Sequence, residues 1–142
     1  MKTLFIASDH AAFDEKAQIM DYLQDRFDII DLGTNSKESV HYSSYGLKLA
    51  KEVASHKESL GIAICGSGIG ISMAVNRIKT IRGALCRDEA DAKICKEHNN
   101  ANIICFGSRR NTVSEMKAMT DVWLEAQFEG ARHQKRVELL DE

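Results

Sequence analysis

The residues with the most chemistry in them lie in Cys65-Gly66-Ser67-Gly68-Ile69-Gly70-Ile71-Ser72, where an apolar run ends in a glycine-rich loop and a helical pattern begins. Glycines let backbone amides converge on a ligand, and a helix start adds partial positive charge, so Gly66, Gly68, Ile69 and Gly70 suit an oxyanion or a phosphate. The plain alternative is a tight turn that needs glycine only for packing. The spacing is G-x-G-x-G, which is not the dinucleotide fingerprint, and the P-loop lysine is missing. Cys65 opens the loop, and a thiol beside a helix N-terminus can ionise well below its ordinary pKa of about 8.5. It could serve as a base or a nucleophile. A Cys-x5-Arg phosphatase loop would need arginine where Ile71 stands, which disfavours phosphocysteine chemistry. Cys86, Cys95 and Cys105 read as small buried hydrophobes.

Two more polar clusters carry histidine: Asp9-His10 and His98-Asn99-Asn100. With a pKa of about 6.5, an imidazole can exchange protons with a substrate hydroxyl near neutrality. A lone loop histidine is more often a surface or capping residue, and His41, His56 and His133 read closer to that. Zinc could in principle take Asp9, His10, Cys65 and His98, but no pair has short ligand spacing, so neither a metal nor another cofactor is expected. Arg132 and Arg136, four apart, share a face if helical, and two guanidinium forks so placed suit phosphate. A solvated basic face is the bland reading. Arg109, beside Gly107, is a third candidate anion contact.

These residues need a frame to bring them together. Short β-branched runs alternate with longer helical patterns, which predicts βαβ units and a parallel sheet covered on both faces. The expected strands are Thr3 to Ala7, Asp28 to Leu32, Leu60 to Cys65, Arg82 to Cys86 and Asn102 to Phe106. The expected helices are Phe13 to Arg26, Ser44 to Ser55, Ile69 to Arg77, Asp88 to Glu97 and Asn111 to Phe128, with Asp88 as an N-cap. Residues 130–142 form a short charged end, to be packed on the domain or on a second chain. In open sheets of this class the functional loops sit at the carboxyl ends of the strands. Ser8-Asp9-His10, Gly33-Thr34-Asn35, the Cys65 loop, Arg87-Asp88 and Gly107-Ser108-Arg109-Arg110 all fall there.

Composition narrows the function classes. The 142 residues form one expected domain, 1–142, large enough for a core without staples. A formal charge of −2 gives no field for a polyanion or an anionic membrane, so nucleic acid and membrane are not expected partners. No apolar run approaches a membrane span, and the polar Asp9 and His10 come too soon for a secretory signal. The cytoplasm is the expected compartment, with all four cysteines free. There is no proline, and so neither a rigid proline linker nor a cis-proline turn.

In order along almost the whole chain, Ser8-Asp9-His10, Asp31-Leu32-Gly33-Thr34, the Cys65 to Gly70 loop, His98-Asn99 with Asn102, Phe106-Gly107-Ser108-Arg109 and Glu129-Gly130-Ala131-Arg132-His133-Gln134 resemble the ribose-5-phosphate isomerase type B and galactose-6-phosphate isomerase family. The resemblance implies a Rossmann-like αβα sandwich with a five-stranded parallel sheet. It implies metal-free aldose-ketose isomerisation of a phosphorylated sugar by a homodimer whose active sites draw on both subunits, with tetramers left open. By position, Cys65 resembles the base that moves a proton between C1 and C2 through an enediolate. Some members use a glutamate where Ile71 stands, which here leaves that role to Cys65. Ser67 and the amides of Gly66 to Gly70 would bind the enediolate oxygens. His98 resembles the ring-opening residue, with Asn99 beside it, and Asp9 would hold sugar hydroxyls. His10, Arg109, Arg132 and Arg136 match phosphate contacts, and residues 130–142 would serve that site or the dimer. Tyr42 is taken as a substrate contact. His98, Asn99 and Arg109 are expected from the partner chain.

Departures bear on the substrate. The usual Asp-Tyr-Pro is His41-Tyr42-Ser43 here, and the galactose-6-phosphate catalytic subunit has histidine at that place with an arginine two residues earlier, where this chain has Ser39. Ala131 replaces the second glycine of Gly-Gly-Arg-His. Ribose 5-phosphate to ribulose 5-phosphate is the favoured reaction. A six-carbon sugar 6-phosphate (galactose or allose), a noncatalytic subunit of a hetero-oligomeric isomerase, and a nucleotide-binding regulatory domain are the alternatives.

Overall fold

A computed structural model describes residues 1–142. Five parallel strands make one sheet: β1 (Thr3–Ser8), β2 (Asp28–Asp31), β3 (Leu60–Cys65), β4 (Gly83–Leu85) and β5 (Ile103–Gly107). Six helices connect and follow them: α1 (Phe13–Leu23), α2 (Tyr42–Ser55), α3 (Ile69–Val75), α4 (Glu89–Glu97), α5 (Val113–Glu125) and α6 (Arg132–Glu138). The strand order is β2-β1-β3-β5-β4. The fold is thus the Rossmann-like αβα sandwich that the sequence predicts. No helix is long and apolar enough to cross a membrane.

Alternation along each strand divides the core in two. Leu4, Ile6, Ile62, Ile64, Ile104 and Phe106 pack with Ile19 of α1, Ala92 of α4 and Met116, Met119 and Trp123 of α5. Their neighbours Phe5, Ala7, Ala63, Cys65, Ile103 and Cys105 face the other way, against Leu49, Ala50 and Val53 of α2 and Ile71 and Val75 of α3. Both faces of the central strands are therefore apolar, as a parallel sheet between helices requires. The edges differ from expectation. In β2, Asp28, Ile30 and Asp31 are exposed, and β4 is half-buried and only three residues long. An edge strand lacks one neighbour, so its side chains need not be apolar on both faces.

Caps set most of the helix boundaries. Asp88 accepts a hydrogen bond from the Asp91 amide at 2.8 Å and starts α4, as predicted. Thr112 and Glu115 form a reciprocal capping box, which moves the start of α5 from the expected Asn111 to Val113. The same helix stops at Glu125, short of Phe128, and α1 stops at Leu23, short of Arg26. Lys16 of α1 is buried and donates to Asp31 Oδ1 at 2.5 Å, while the same oxygen accepts from the Gly33 amide at 2.9 Å. That carboxylate joins α1 to the turn leaving β2, beside the functional edge of the sheet.

Candidate active site

Chain direction changes between β1 and β3: β1 leads outward to β2, and β3 leads the other way to β4 and β5. Open α/β sheets bind ligands at such a switch point, outside the strand carboxyl ends. A cleft of about 530 Å³ opens there, lined by Asp9, His10, Tyr42, Cys65, Gly66, Ser67, Ile69, Gly70 and Arg109, with Ala11 and Met73. Its location follows from topology before any chemistry is considered.

Each wall has a local cause. Asp9 caps a short 3-10 turn, accepting from the Ala11 amide at 3.0 Å, and is 7% exposed. His10 Nδ1 accepts from the Val40 amide at 3.0 Å, which leaves the proton on Nε2. Cys65, 3% exposed, ends β3, and its Sγ accepts from the Gly68 amide at 3.2 Å. Ser67 Oγ accepts from the Ile69 amide at 3.1 Å. The amides of Gly66, Ser67 and Gly70 donate to no other group of the chain, so the loop keeps N–H groups for an incoming oxygen. Gly68 has φ +78°, and a Cβ there would lie 2.6 Å from Leu85 Cδ1 and 2.8 Å from the Phe106 carbonyl carbon. Only glycine holds this turn against the end of β5.

The neighbouring strand end fixes the arginine. The amides of Ser108 and Arg109 donate to the carbonyls of Cys65 and Gly66, each at 2.9 Å, which lays the two loops side by side. A Cβ on Gly66 would meet Arg109 Nη1 at 2.8 Å. Arg109, expected from a partner chain, therefore lines this chain's own cleft. Tyr42, at the first turn of α2, packs over Gly70, where a Cβ would come within 2.6 Å of the ring.

His98, Asn99, Arg132 and Arg136 lie elsewhere. α4 runs back from the end of β4, so His98 follows it at the opposite edge of the sheet, near the start of β5. Cys65 pairs with Gly107 at the far end of β5, about 13 Å along a strand that rises ~3.3 Å per residue. Asn99 lines a separate cavity beside β4 with Arg77, Arg82 and Leu140. Arg132 and Arg136 are exposed on α6, one turn apart, as expected of a helix there.

His133 departs from its surface reading. It is 6% exposed and stacks on His98, ring centroids 4.2 Å apart and 15° from parallel. Glu129 Oε1 lies 3.9 Å from His98 Nε2 and 3.7 Å from His133 Nε2. The three side-chain ligand atoms lie within 4.8 Å of one another. Desolvation, with Arg132 and His98 adding to it, pushes the His133 imidazole below its ordinary pKa. No short-range sequence pattern announced this group, because Glu129 and His98 meet only through the α5–α6 connection.

A glycine-rich loop opened by a thiol at the switch point of an αβα sheet, beside an arginine and a capping carboxylate, is the kind of cleft an α/β enzyme uses for a small molecule. The chain belongs to the ribose/galactose isomerase family, whose model matches residues 4–140. It is 40% identical over 141 residues to ribose-5-phosphate isomerase B of Escherichia coli, covering 99% of this chain and 95% of that protein. The structure of Clostridium thermocellum ribose-5-phosphate isomerase B superposes with a TM-score of 0.95 at 41% identity, covering 98% of this chain and 95% of the other. Ribose-5-phosphate isomerase B from Mycoplasma genitalium, solved with bound ribulose-5-phosphate, superposes with a TM-score of 0.93 at 38% identity, covering 97% and 93%.

Proposed function

We propose that the chain, acting as one domain over residues 1–142, interconverts ribose 5-phosphate and ribulose 5-phosphate. The observation that carries this is the Cys65 loop, with unpaired amides and Ser67 on the same cleft as Asp9, His10 and Arg109, in a chain whose relatives are ribose-5-phosphate isomerases B. The Cys65 thiolate takes the proton from C2 of the open aldose. The C2–H electrons form the C1–C2 double bond, and the former carbonyl oxygen O1 becomes an oxyanion. Ser67 and the free amides of the Gly66 to Gly70 loop hold that oxygen, an interaction in which one lost donor costs roughly 2.7 to 4 kcal/mol of barrier. Returning the proton to C1, with the O2 proton moving to O1, completes the ketose. Amides and thiol together supply both halves of the chemistry, so no metal or other cofactor is required. Asp9 and Tyr42 orient the sugar, and His10 and Arg109 face its phosphate.

His98 opens the ring, with Asn99, and one chain cannot bring it to its own Cys65. A homodimer solves this: the His98 end of each copy completes the cleft of the other, and Arg132 and Arg136 on α6 reach the phosphate in the same way. Exposed Ile69 (41%) and Met73 (60%) at the cleft rim fit such a contact. The four unpaired cysteines fit a reducing, cytoplasmic setting. A hexose reading has one observation behind it, His41-Tyr42-Ser43 at the start of α2. Purified protein assayed with ribose, ribulose, galactose and allose phosphates decides between them. Turnover of the pentose phosphates by the highest kcat/KM supports the proposal, and turnover of none in the panel overturns it.

A further inference from the structure

The group His98, Glu129 and His133 carries more geometry than a ring-opening residue alone requires. Glu129 is brought to His98 by the backbone, since its amide donates to the Glu97 carbonyl at 2.9 Å and so fastens the α5–α6 connection to the end of α4. His133 sits in the first turn of α6, its amide bonded to the Gly130 carbonyl at 2.9 Å, and its ring covers one face of His98. His133 Nε2 is buried without a hydrogen-bond partner, aimed at the same carboxylate as His98 Nε2. A buried imidazole nitrogen left unpaired is costly, and calls for a purpose beyond packing.

We propose that Glu129 and His133 are positioning residues that fix the ring orientation and the tautomer of His98. This rests on the reading of His98 as the ring-opening residue. Two imidazoles face one carboxylate oxygen, and the contest between them is decided by the surroundings. His133 faces His98 at the end of α4, Glu129 in the connection, and Arg132 and Arg136 on its own helix. Burial and these cations hold its pKa below the ordinary value, with only Glu129 opposing. A neutral His133 leaves the carboxylate's charge to His98, whose Nε2 becomes the protonated nitrogen once the pair closes by about 1 Å to hydrogen-bond length. Nδ1 of His98 is then the atom left to exchange a proton with the sugar. His133 contributes a flat, uncharged platform that prevents the ring from rotating out of that alignment.

Long-range proton–nitrogen NMR on 15N-histidine-labelled protein, together with kcat and KM measured separately, tests this. Wild-type His98 should carry its neutral proton on Nε2. Glu129→Gln should mix the tautomers and lower kcat several-fold while leaving KM nearly unchanged. His133→Ala should lower kcat roughly tenfold or more, and His133→Phe, which restores a flat ring without nitrogens, should recover most of it. Glu129→Asp should regain part of the tautomer preference. Unchanged His98 resonances and an unchanged kcat in Glu129→Gln overturn the proposal, and because Glu129 is exposed this variant answers even where His133→Ala does not fold. Wild-type protein that turns over no sugar phosphate defeats the functional reading instead, while the His98 spectrum still decides the arrangement.

Discussion

Around Cys65 the tolerance is set by atoms of the adjacent strand end. Gly68→Ala would place a Cβ against Leu85 and the Phe106 backbone at a φ of +78°, so the turn has to move. Strain of this kind costs about 1 to 3 kcal/mol, and thermal denaturation should show the loss together with a fall in kcat of a hundredfold or more. A substituted turn that kept both would show that the loop tolerates displacement. Cys65→Ala should abolish isomerisation and spare binding of a phosphate ligand, whereas Arg136→Ala should weaken substrate binding and leave thiol reactivity alone. Titration calorimetry separates them, and equal binding losses contradict the division. Much of this was legible in the sequence: Asp9, His10, Cys65, Gly66, Ser67, Ile69, Gly70 and Arg109 share one cleft, joined by Tyr42, which only the family resemblance had offered, while Gly68 does not line it and gives its amide to Cys65 Sγ. What could not be read was His133 as a buried partner of His98. A histidine in a charged segment looks solvated until the path of the α5–α6 connection is known.

At the scale of elements, β1, β3 and β5 matched expectation to within a residue or two, because continuous apolar runs bounded by glycine and polar residues have few other readings. Helix ends were less legible. The capping box at Thr112 overrode a start at Asn111, since satisfying two free amides outweighs two more helical residues. Thr112→Ala should cost about 1 kcal/mol and lower Tm by a few degrees, and an unchanged Tm would remove the cap from the account. Ala131 gives the opposite sign. It adopts φ 48° and ψ −123°, a conformation that suits glycine, at the turn into α6. Ala131→Gly should therefore raise Tm by a few degrees, and a lowered Tm would show that the alanine is accommodated without strain. Further along, His133 makes α6 sensitive to acid. Its imidazole is held below the ordinary value, so the unfolded chain binds its proton first as pH falls. Stability should decline below about pH 6.5, the unfolded value, and His133→Phe should flatten that part of the profile in denaturant titrations. A wild-type profile level between pH 7 and 5 would contradict this.

For the whole molecule, the two sheet ends pose the main question, because the cleft with Cys65 and the stack with His98 lie at opposite edges of the same strands. One chain holds both halves apart, and the proposed two-fold pair of chains would unite both halves twice. Sequence spacing cannot express this, since a shared site has no spacing within one chain, and only strand direction reveals that the fourth helix carries His98 away. Mixing tests the account at its centre, that a Cys65 thiolate moves the proton in a cleft completed by His98 of a second copy. Cys65→Ala and His98→Asn should each be inactive alone. After unfolding and refolding in equal amounts, half of the dimers are mixed and each carries one intact site, so about a quarter of wild-type turnover of ribose 5-phosphate should return. Full activity in Cys65→Ala alone, or no recovery in the mixture, would contradict it.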